Sequence, residues 1–341
     1  MGPVFYLTLN MGIMASAIGL VVLLLRLILR GRLPALARYA LWGLVLLRLL
    51  LPVSLPSQMS AWNPVGRYVT RIASFPVGPG DMTITNAVGA VENSPEATST
   101  NFLGAVNAYF PGAVRFKTSA LRSAFDTLGT VWLAGAAALA AIGIALYALT
   151  ARRLGRARRI NDDGLLAGCA GLARLRRKVA LLASDAVESP VAFGVFRPRV
   201  AVPSSMACDR DTLRLVLLHE LTHIRRLDTL RVLLFLVVCL HWYNPLIWLC
   251  FLLSGRDMEL ACDAAVLRLL GKQERKRYAL ALADLAAGRQ PLLAAAFGRS
   301  AVRERVLGVV NFRRVTWAAA VLSALFVAGL AVVLLTNPAV G

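Results

Sequence analysis

Val232-Leu233-Leu234-Phe235-Leu236-Val237-Val238-Cys239-Leu240-His241-Trp242-Tyr243-Asn244-Pro245-Leu246-Ile247-Trp248-Leu249-Cys250-Phe251-Leu252-Leu253 is a run of 22 residues without a charged side chain. By length alone it can cross a bilayer as one helix. Its centre argues otherwise. Proline has no backbone N–H and its ring clashes with the preceding turn, so a helix is expected to end at His241–Pro245. The two halves, each about a dozen residues or fewer, are then too short to cross. They are expected to dip into the membrane face or to pack on other helices. The choice decides the fold, because residues able to carry chemistry flank the run on both sides. If it crosses, those residues lie on opposite faces of the membrane; if it turns back, they share one compartment. His241, beside Trp242 and Tyr243, is expected at a helix end or membrane interface rather than on a metal.

Upstream stands His219-Glu220-Leu221-Thr222-His223, which uses two of the three histidines in the chain. On a helix, residues four apart lie one turn apart on one face, so both imidazoles can bind one Zn²⁺. Glu220 then sits beside the open coordination position, where it can take a proton from water. Downstream, Arg256-Asp257-Met258-Glu259-Leu260-Ala261-Cys262-Asp263 offers Glu259 as the third ligand. Asp263, one turn further on, is placed to accept the N–H of a ligating histidine. Two histidines and one glutamate leave a fourth position for water, the arrangement of a catalytic rather than a structural zinc. Two histidines and a glutamate set among Leu and Val would be costly to bury without something to bind. Cys262, rotated about 300° from Glu259, is expected off the ligand face.

Composition says where this chemistry sits. Hydrophobic residues are 58% of the 341 and charged residues 16%, far from the averages of soluble domains. Val4–Leu25, Thr127–Thr150 and Val315–Thr336 carry no charge over 22, 24 and 22 residues, each enough to span. Tyr39–Pro56 is a shorter fourth candidate holding Arg48, which is expected to face the helix bundle and pair there. Arg26, Arg30, Arg32 and Arg38 lie between the first two spans, and 28 of the 38 Lys and Arg lie in 151–315. The positive-inside rule places both regions in the cytoplasm and both termini outside, at the bacterial plasma membrane. No charge precedes the first span, so a cleaved signal peptide is not expected. The formal net charge of +20 therefore matches cytoplasmic orientation and anionic lipid, with no direct nucleic-acid partner. The five cysteines form no C-x-x-C and are expected to be reduced.

The expected organisation follows. Residues 1–56 hold helices 1 and 2 with a basic linker, and 57–126 form an extracytoplasmic loop rich in Ser, Thr, Asn, Gly and Pro. Residues 127–150 are helix 3, 151–314 the cytoplasmic zinc domain with membrane-associated helices near 232–253, 315–336 helix 4, and 337–341 a short outer tail. Glu188–Pro203 alternates β-branched and aromatic residues with turn formers, as a short hairpin does. Its edge could pair with an extended peptide.

The order of these features resembles the BlaR/MecR family of integral-membrane zinc metallopeptidases. The resemblance rests on Arg38-Tyr39-Ala40-Leu41-Trp42 and Leu46-Leu47-Arg48-Leu49-Leu50-Leu51-Pro52-Val53, on Phe193-Gly194 with Arg197-Pro198-Arg199, and on His219-Glu220-x-x-His223-Ile224-Arg225-Arg226-x-Asp228. It continues through His241-Trp242-Tyr243-Asn244-Pro245 and Arg256-x-x-Glu259-x-x-Cys262-Asp263. It implies an α-helical membrane protein with four transmembrane helices and a cytoplasmic gluzincin-type α+β zinc protease domain. Zn²⁺ would sit on His219, His223 and Glu259, with Glu220 as general base. Sensor members of the family, tied to antibiotic resistance, cut themselves in the cytoplasmic loop and trigger loss of a transcriptional repressor; that resemblance implies self-cleavage between residues 285 and 305, whereas the Ala-rich composition of 292–301 by itself favours a quiet membrane-surface helix. They also carry a C-terminal penicillin-binding domain, which this chain, stopping at Gly341, is expected to lack. Two other readings stay open: a quality-control membrane protease of the Ste24/HtpX type, and a non-catalytic signalling protein. Tyr243 and Tyr278 are oxyanion-donor candidates by residue type alone, and a homodimer is left open.

Overall fold

The computed structural model describes residues 2–29, 31–51, 56–61, 83–84, 114–115, 119–160, 163–287 and 295–338. Most of the expected outer loop 57–126, and residues 288–294 of the expected self-cleavage segment, lie outside the described residues. The chain divides into two compact units. The first holds Met1–Ala140, Leu236–Leu252 and Trp317–Gly341; the second holds Ala141–Phe235 and Leu253–Thr316.

In the first unit, α1 (Gly2–Ile28), α2 (Ala35–Leu50) and α10 (Trp317–Leu335) are almost wholly apolar. So is the upper part of α3 (Ser119–Gly155). Among the described residues, three helical stretches are long and apolar enough to cross a membrane: Leu7–Ile28, Asp126–Gly155 and Trp317–Leu335. The fourth expected span is shorter. Its helix α2 has 16 residues, about 24 Å against the roughly 30 Å of a hydrocarbon core. It packs against α1 and α10, with Arg48 buried at 3% exposure.

The deciding stretch turns back. Helix α6 (Arg231–Leu240) ends before His241, and α7 (Pro245–Leu269) begins at the proline. Pro245 therefore opens the second helix rather than merely ending the first, because the first helical position has no intrahelical use for its N–H. Asn244 caps the new helix, its Oδ1 accepting from Leu246 N at 3.1 Å and Ile247 N at 3.4 Å. The expectation of two short helices fails for the second one. Its apolar turns continue without a break into the helix that carries Glu259 and Asp263, giving 25 residues. The turn is pinned to its neighbours by side chains. Asn244 Nδ2 donates to Ser16 Oγ at 2.7 Å and Tyr243 Oη to Thr8 O at 3.2 Å. Trp132 Nε1 donates to Leu240 O and Trp242 Nε1 to Trp132 O. Burying Trp and Tyr requires such partners for their polar ends.

The second unit holds a four-stranded sheet and the helices around it. Strands β1 (Arg158–Arg159), β2 (Ala180–Ala183), β3 (Val191–Phe193) and β4 (Arg199–Val202) are ordered β1-β2-β4-β3. β2 and β4 run parallel; the other two pairs are antiparallel. The expected hairpin is β3–β4, with Phe193 opposite Arg199, and β3 is one of the sheet's two edge strands. Its turn depends on Gly194, at φ +86, where an added Cβ would collide with Arg197 O. Helix α5 (Arg210–Arg225) packs on β3 and β4. Asp209 caps it, accepting from Asp211 N and Thr212 N. Leu213, Leu217, Leu218, Leu221 and Ile224 of α5 are buried with Leu181, Val200, Val202, Val266 and Leu267 in one core, each worth roughly 1.5–3 kcal/mol when fully buried. This core fixes the α5 face that holds the two histidines. Helices α4 (Asp163–Leu172), α8 (Lys272–Ala287) and α9 (Ala295–Val310) complete the unit. None of the five cysteines is in a disulfide, and of the five Cys208 is exposed.

Candidate metal centre

Helical spacing puts His219 and His223 one turn apart, and the second unit brings Glu259 of α7 to them. The two Nε2 atoms are 3.0 Å apart. Glu259 Oε2 lies 3.4 Å from His219 Nε2, and Oε1 lies 3.6 Å from His223 Nε2. Both Nδ1 atoms are turned outward and engaged. His223 Nδ1 meets Asp228 Oδ2 at 2.8 Å, and His219 Nδ1 meets Tyr278 Oη at 2.8 Å. Tyr278 in turn donates to Asp263 Oδ1 at 2.6 Å. A carboxylate, or a hydroxyl already donating, can only accept, so each Nδ1 carries its ring's hydrogen and each Nε2 presents a lone pair.

Two lone pairs and a carboxylate thus converge on one point, and their mutual repulsion is offset in part by the Arg305 guanidinium, 3.1 Å from Glu259 Oε2 and 3.3 Å from His219 Nε2, and further by an ion held between them. Ligand atoms about 2.05 Å from a tetrahedral zinc stand roughly 3.3 Å from one another. The three separations of 3.0, 3.4 and 3.6 Å bracket that value, so these residues fit such an ion. Burial alone would lower the imidazole pKa values. Cys262, Glu259 and the partner of each ring, Asp263 or Asp228, outweigh it and hold both well above the usual range. Burial would raise the Glu259 pKa, yet the two imidazoles hold it well below the usual carboxylate range. The Glu259 side chain is 32% exposed against 10% for each histidine, so the centre opens toward solvent on the Glu259 side. Glu220 is buried on α5 between the two histidines.

The expectation for Cys262 needs correcting. Its Sγ belongs to the same cluster, within 4.8 Å of the histidine ligand atoms, and it donates to His219 O at 3.5 Å. Three residues turn a helix by about 300°, which is only 60° short of a full turn. Glu259 and Cys262 therefore share a face rather than opposing each other. The chain thus offers two candidates for the third ligand. Glu259 is the better placed, with one oxygen toward each Nε2, whereas the Cys262 sulfur already engages a backbone carbonyl. Asp263 reaches His219 Nδ1 at 3.3 Å, the expected pairing, but with the Tyr278 hydroxyl bridging the two.

The sequence reading gave Asp228 and Arg226 no role beyond the family motif, gave Tyr278 a different one, and did not single out Arg305. Asp228 holds His223, and it can do so because Leu227 adopts φ +61, turning the chain back sharply after α5. A leucine in this region costs about 1–3 kcal/mol, which the surrounding contacts must offset. Arg226 Nε then braces Asp228 Oδ2 at 3.1 Å. Tyr278, quoted above only as an oxyanion candidate, is instead committed to Asp263 and His219. Arg305 of α9 grips Asp263 with two bonds, Nε to Oδ2 at 2.7 Å and Nη2 to Oδ1 at 2.8 Å. Its Nη1 lies 3.1 Å from Glu259 Oε2. Asp263, pushed up by burial, is pulled far below the ordinary range by this guanidinium. Glu259, Asp263 and Asp228 thus surround the two imidazoles and meet the guanidiniums of Arg305 and Arg226. Tyr243 and His241 lie in the other unit.

The chain is 34% identical over 165 residues to the regulatory protein BlaR1 of Bacillus licheniformis, covering 45% of this chain and 28% of that one. It is 24% identical over 106 residues to the methicillin resistance mecR1 protein of Staphylococcus aureus strain Mu50, covering 30% and 18%. It is 27% identical over 112 residues to the regulatory protein BlaR1 of Staphylococcus aureus, covering 32% and 19%. The matched stretches therefore span less than a third of each relative's length. The family model for the BlaR1 peptidase M56 matches residues 6–309, taking in both units and every residue of the centre, and the chain belongs to the BlaR1 peptidase M56 family.

Proposed function

We propose that this chain is a membrane-embedded zinc endopeptidase acting on a cytoplasmic regulatory protein in transmembrane signalling. Its membership of a peptidase family, its regulatory relatives and its three membrane-length helices support a membrane metallopeptidase in signalling. The observation that carries the finer reading is the convergence of two histidine lone pairs and the Glu259 carboxylate within 3.0–3.6 Å. In this reading His219, His223 and Glu259 hold the zinc and residues 151–314 form a cytoplasmic gluzincin-type domain. Helix α2 serves as the fourth span, and both termini lie outside.

When bound, the ion supplies Lewis acidity to water and to a scissile carbonyl. Glu220 takes the proton of the attacking water and returns it to the leaving amine. Asp228 and the Asp263–Tyr278 pair keep each imidazole in the tautomer whose lone pair points inward. The edge strand β3 gives an extended substrate a partner to pair with, beside the helix that carries Glu220. The substrate is a protein such as a transcriptional repressor.

Metal content and turnover of the purified full-length protein test this. Wild type holds about one zinc per chain and cleaves a quenched-fluorescent peptide library. Glu220→Ala keeps the zinc and loses cleavage. Glu259→Ala loses the zinc, while Cys262→Ser retains it. Full zinc in a His219→Ala, His223→Ala double variant would refute the centre. Zinc lost in Cys262→Ser but kept in Glu259→Ala would move the third ligand to the sulfur.

A further inference from the structure

Away from the metal centre, the second unit carries a cavity of about 500 Å³ at the turn of the β3–β4 hairpin. Arg159, Arg177, Lys178, Arg197 and Arg199 line it, and no carboxylate stands among the lining residues. Phe196 at its rim is 90% exposed, although a phenyl ring in water forfeits much of its burial energy. The turn is not left loose around that ring. Arg177 Nη2 donates to Val195 O at 2.7 Å and to Phe196 O at 2.9 Å, so the exposed position of Phe196 is a built feature.

The hairpin is also held against a membrane-length helix. Gly194 N donates to Tyr147 Oη at 3.1 Å. A Cβ on Gly155 would stand 3.0 Å from Arg199 Nη1. Tyr147 and Gly155 belong to the last turns of α3, whose apolar stretch Asp126–Gly155 has 30 residues. That is about 45 Å, the thickness of a bilayer with its headgroups. The end of α3, with Arg152 and Arg153 in its last turn, therefore stands at headgroup level, and the cavity stands beside it.

We propose that this cavity binds the headgroup of an anionic phospholipid drawn from the bilayer that α3 crosses. The guanidinium and ammonium groups take the phosphate, which Arg suits by its paired N–H donors. Phe196 enters the interface beside the acyl chains, where an aromatic ring is favoured. Basic clusters at the membrane end of a helix attract anionic lipid by this physics. The site lies apart from the metal centre and does not depend on its chemistry.

The test uses full-length protein, delipidated in neutral detergent, with bound lipid counted by native mass spectrometry. Dimyristoyl phosphatidylglycerol forms a saturable adduct, and dimyristoyl phosphatidylcholine binds far more weakly. The triple variant Arg159→Gln, Lys178→Gln, Arg197→Gln weakens the phosphatidylglycerol adduct on the order of a hundredfold. A control triple, Arg268→Gln, Lys276→Gln, Arg303→Gln, leaves it unchanged. Equal loss in the two triples would show diffuse attraction and overturn the site. Displacement of the lipid by equimolar inorganic phosphate would assign the cavity to a free anion. Saturable binding of an acidic octapeptide without any phosphatidylglycerol adduct would assign it to a peptide. Either result overturns the lipid reading. Should the triple variant not fold, Phe196→Ser decides alone, because its side chain packs on little: it lowers phosphatidylglycerol binding, and an unchanged adduct would refute the proposal.

Discussion

The roles of single residues at the metal centre divide by how locally they are encoded. His219, Glu220 and His223 share one helical face, and Glu259 and Asp263 share another, so spacing alone exposes them. Asp228 lies just past a helix end, and its role depends on one left-handed residue, Leu227, that no periodicity announces. Arg305 is one of 38 basic residues, and only the packing of α9 singles it out. Tyr278 was visible by type, but its hydroxyl is spent on Asp263 rather than offered to a substrate. Asp228→Asn keeps the shape of the side chain but lets an amide N–H face the imidazole N–H. The expected result is a 10- to 100-fold loss of metal affinity, measured by competition with a chromogenic chelator. Unaltered affinity would mean that the ring is oriented by packing alone.

At the scale of elements, the sequence spoke clearly wherever an apolar run met a breaker. The break at His241–Pro245 and the hairpin around Gly194 were both legible from turn chemistry. The length of α7 was not, because its apolar half and its charged half look like separate segments until Asn244 is seen to cap both as one helix. Asn244→Ala removes that cap, worth about 1 kcal/mol, and the bond to Ser16, worth about 1 kcal/mol more. A drop near 2 kcal/mol should appear in denaturant unfolding in detergent. Pro245→Ala, which disturbs neither bond, should shift stability by much less. Gly194→Ala should cost at least 1–3 kcal/mol, because φ is positive there and Arg197 O occupies the space a methyl would need. Wild-type stability in that variant would show that the turn can relax.

For the whole molecule, the sequence led to four expected spans, of which three are membrane-length helices among the described residues, and to the expectation that Val232–Leu253 does not cross, which the break between α6 and α7 supports. The expectation of an outer loop over 57–126 rests on composition alone, and most of that stretch lies outside the described residues. Cysteine-accessibility labelling of single-cysteine variants should place positions 160, 215 and 270 on one face of the membrane. Labelling of 215 and 270 from opposite faces would contradict the return of the chain and, with it, the metal centre. The centre also has a history in time. His219 and Arg305, which meet at 3.3 Å, are 86 residues apart in the chain. At about 5–20 residues per second, a ribosome needs roughly 4–17 s to make that interval. Over that interval the α6–α7 turn is synthesised, before Tyr278 and Arg305 exist. In the proposed reading the chain therefore carries Glu220 and both histidines for seconds before Tyr278 and Arg305 are added, so the centre cannot be complete until that interval has passed.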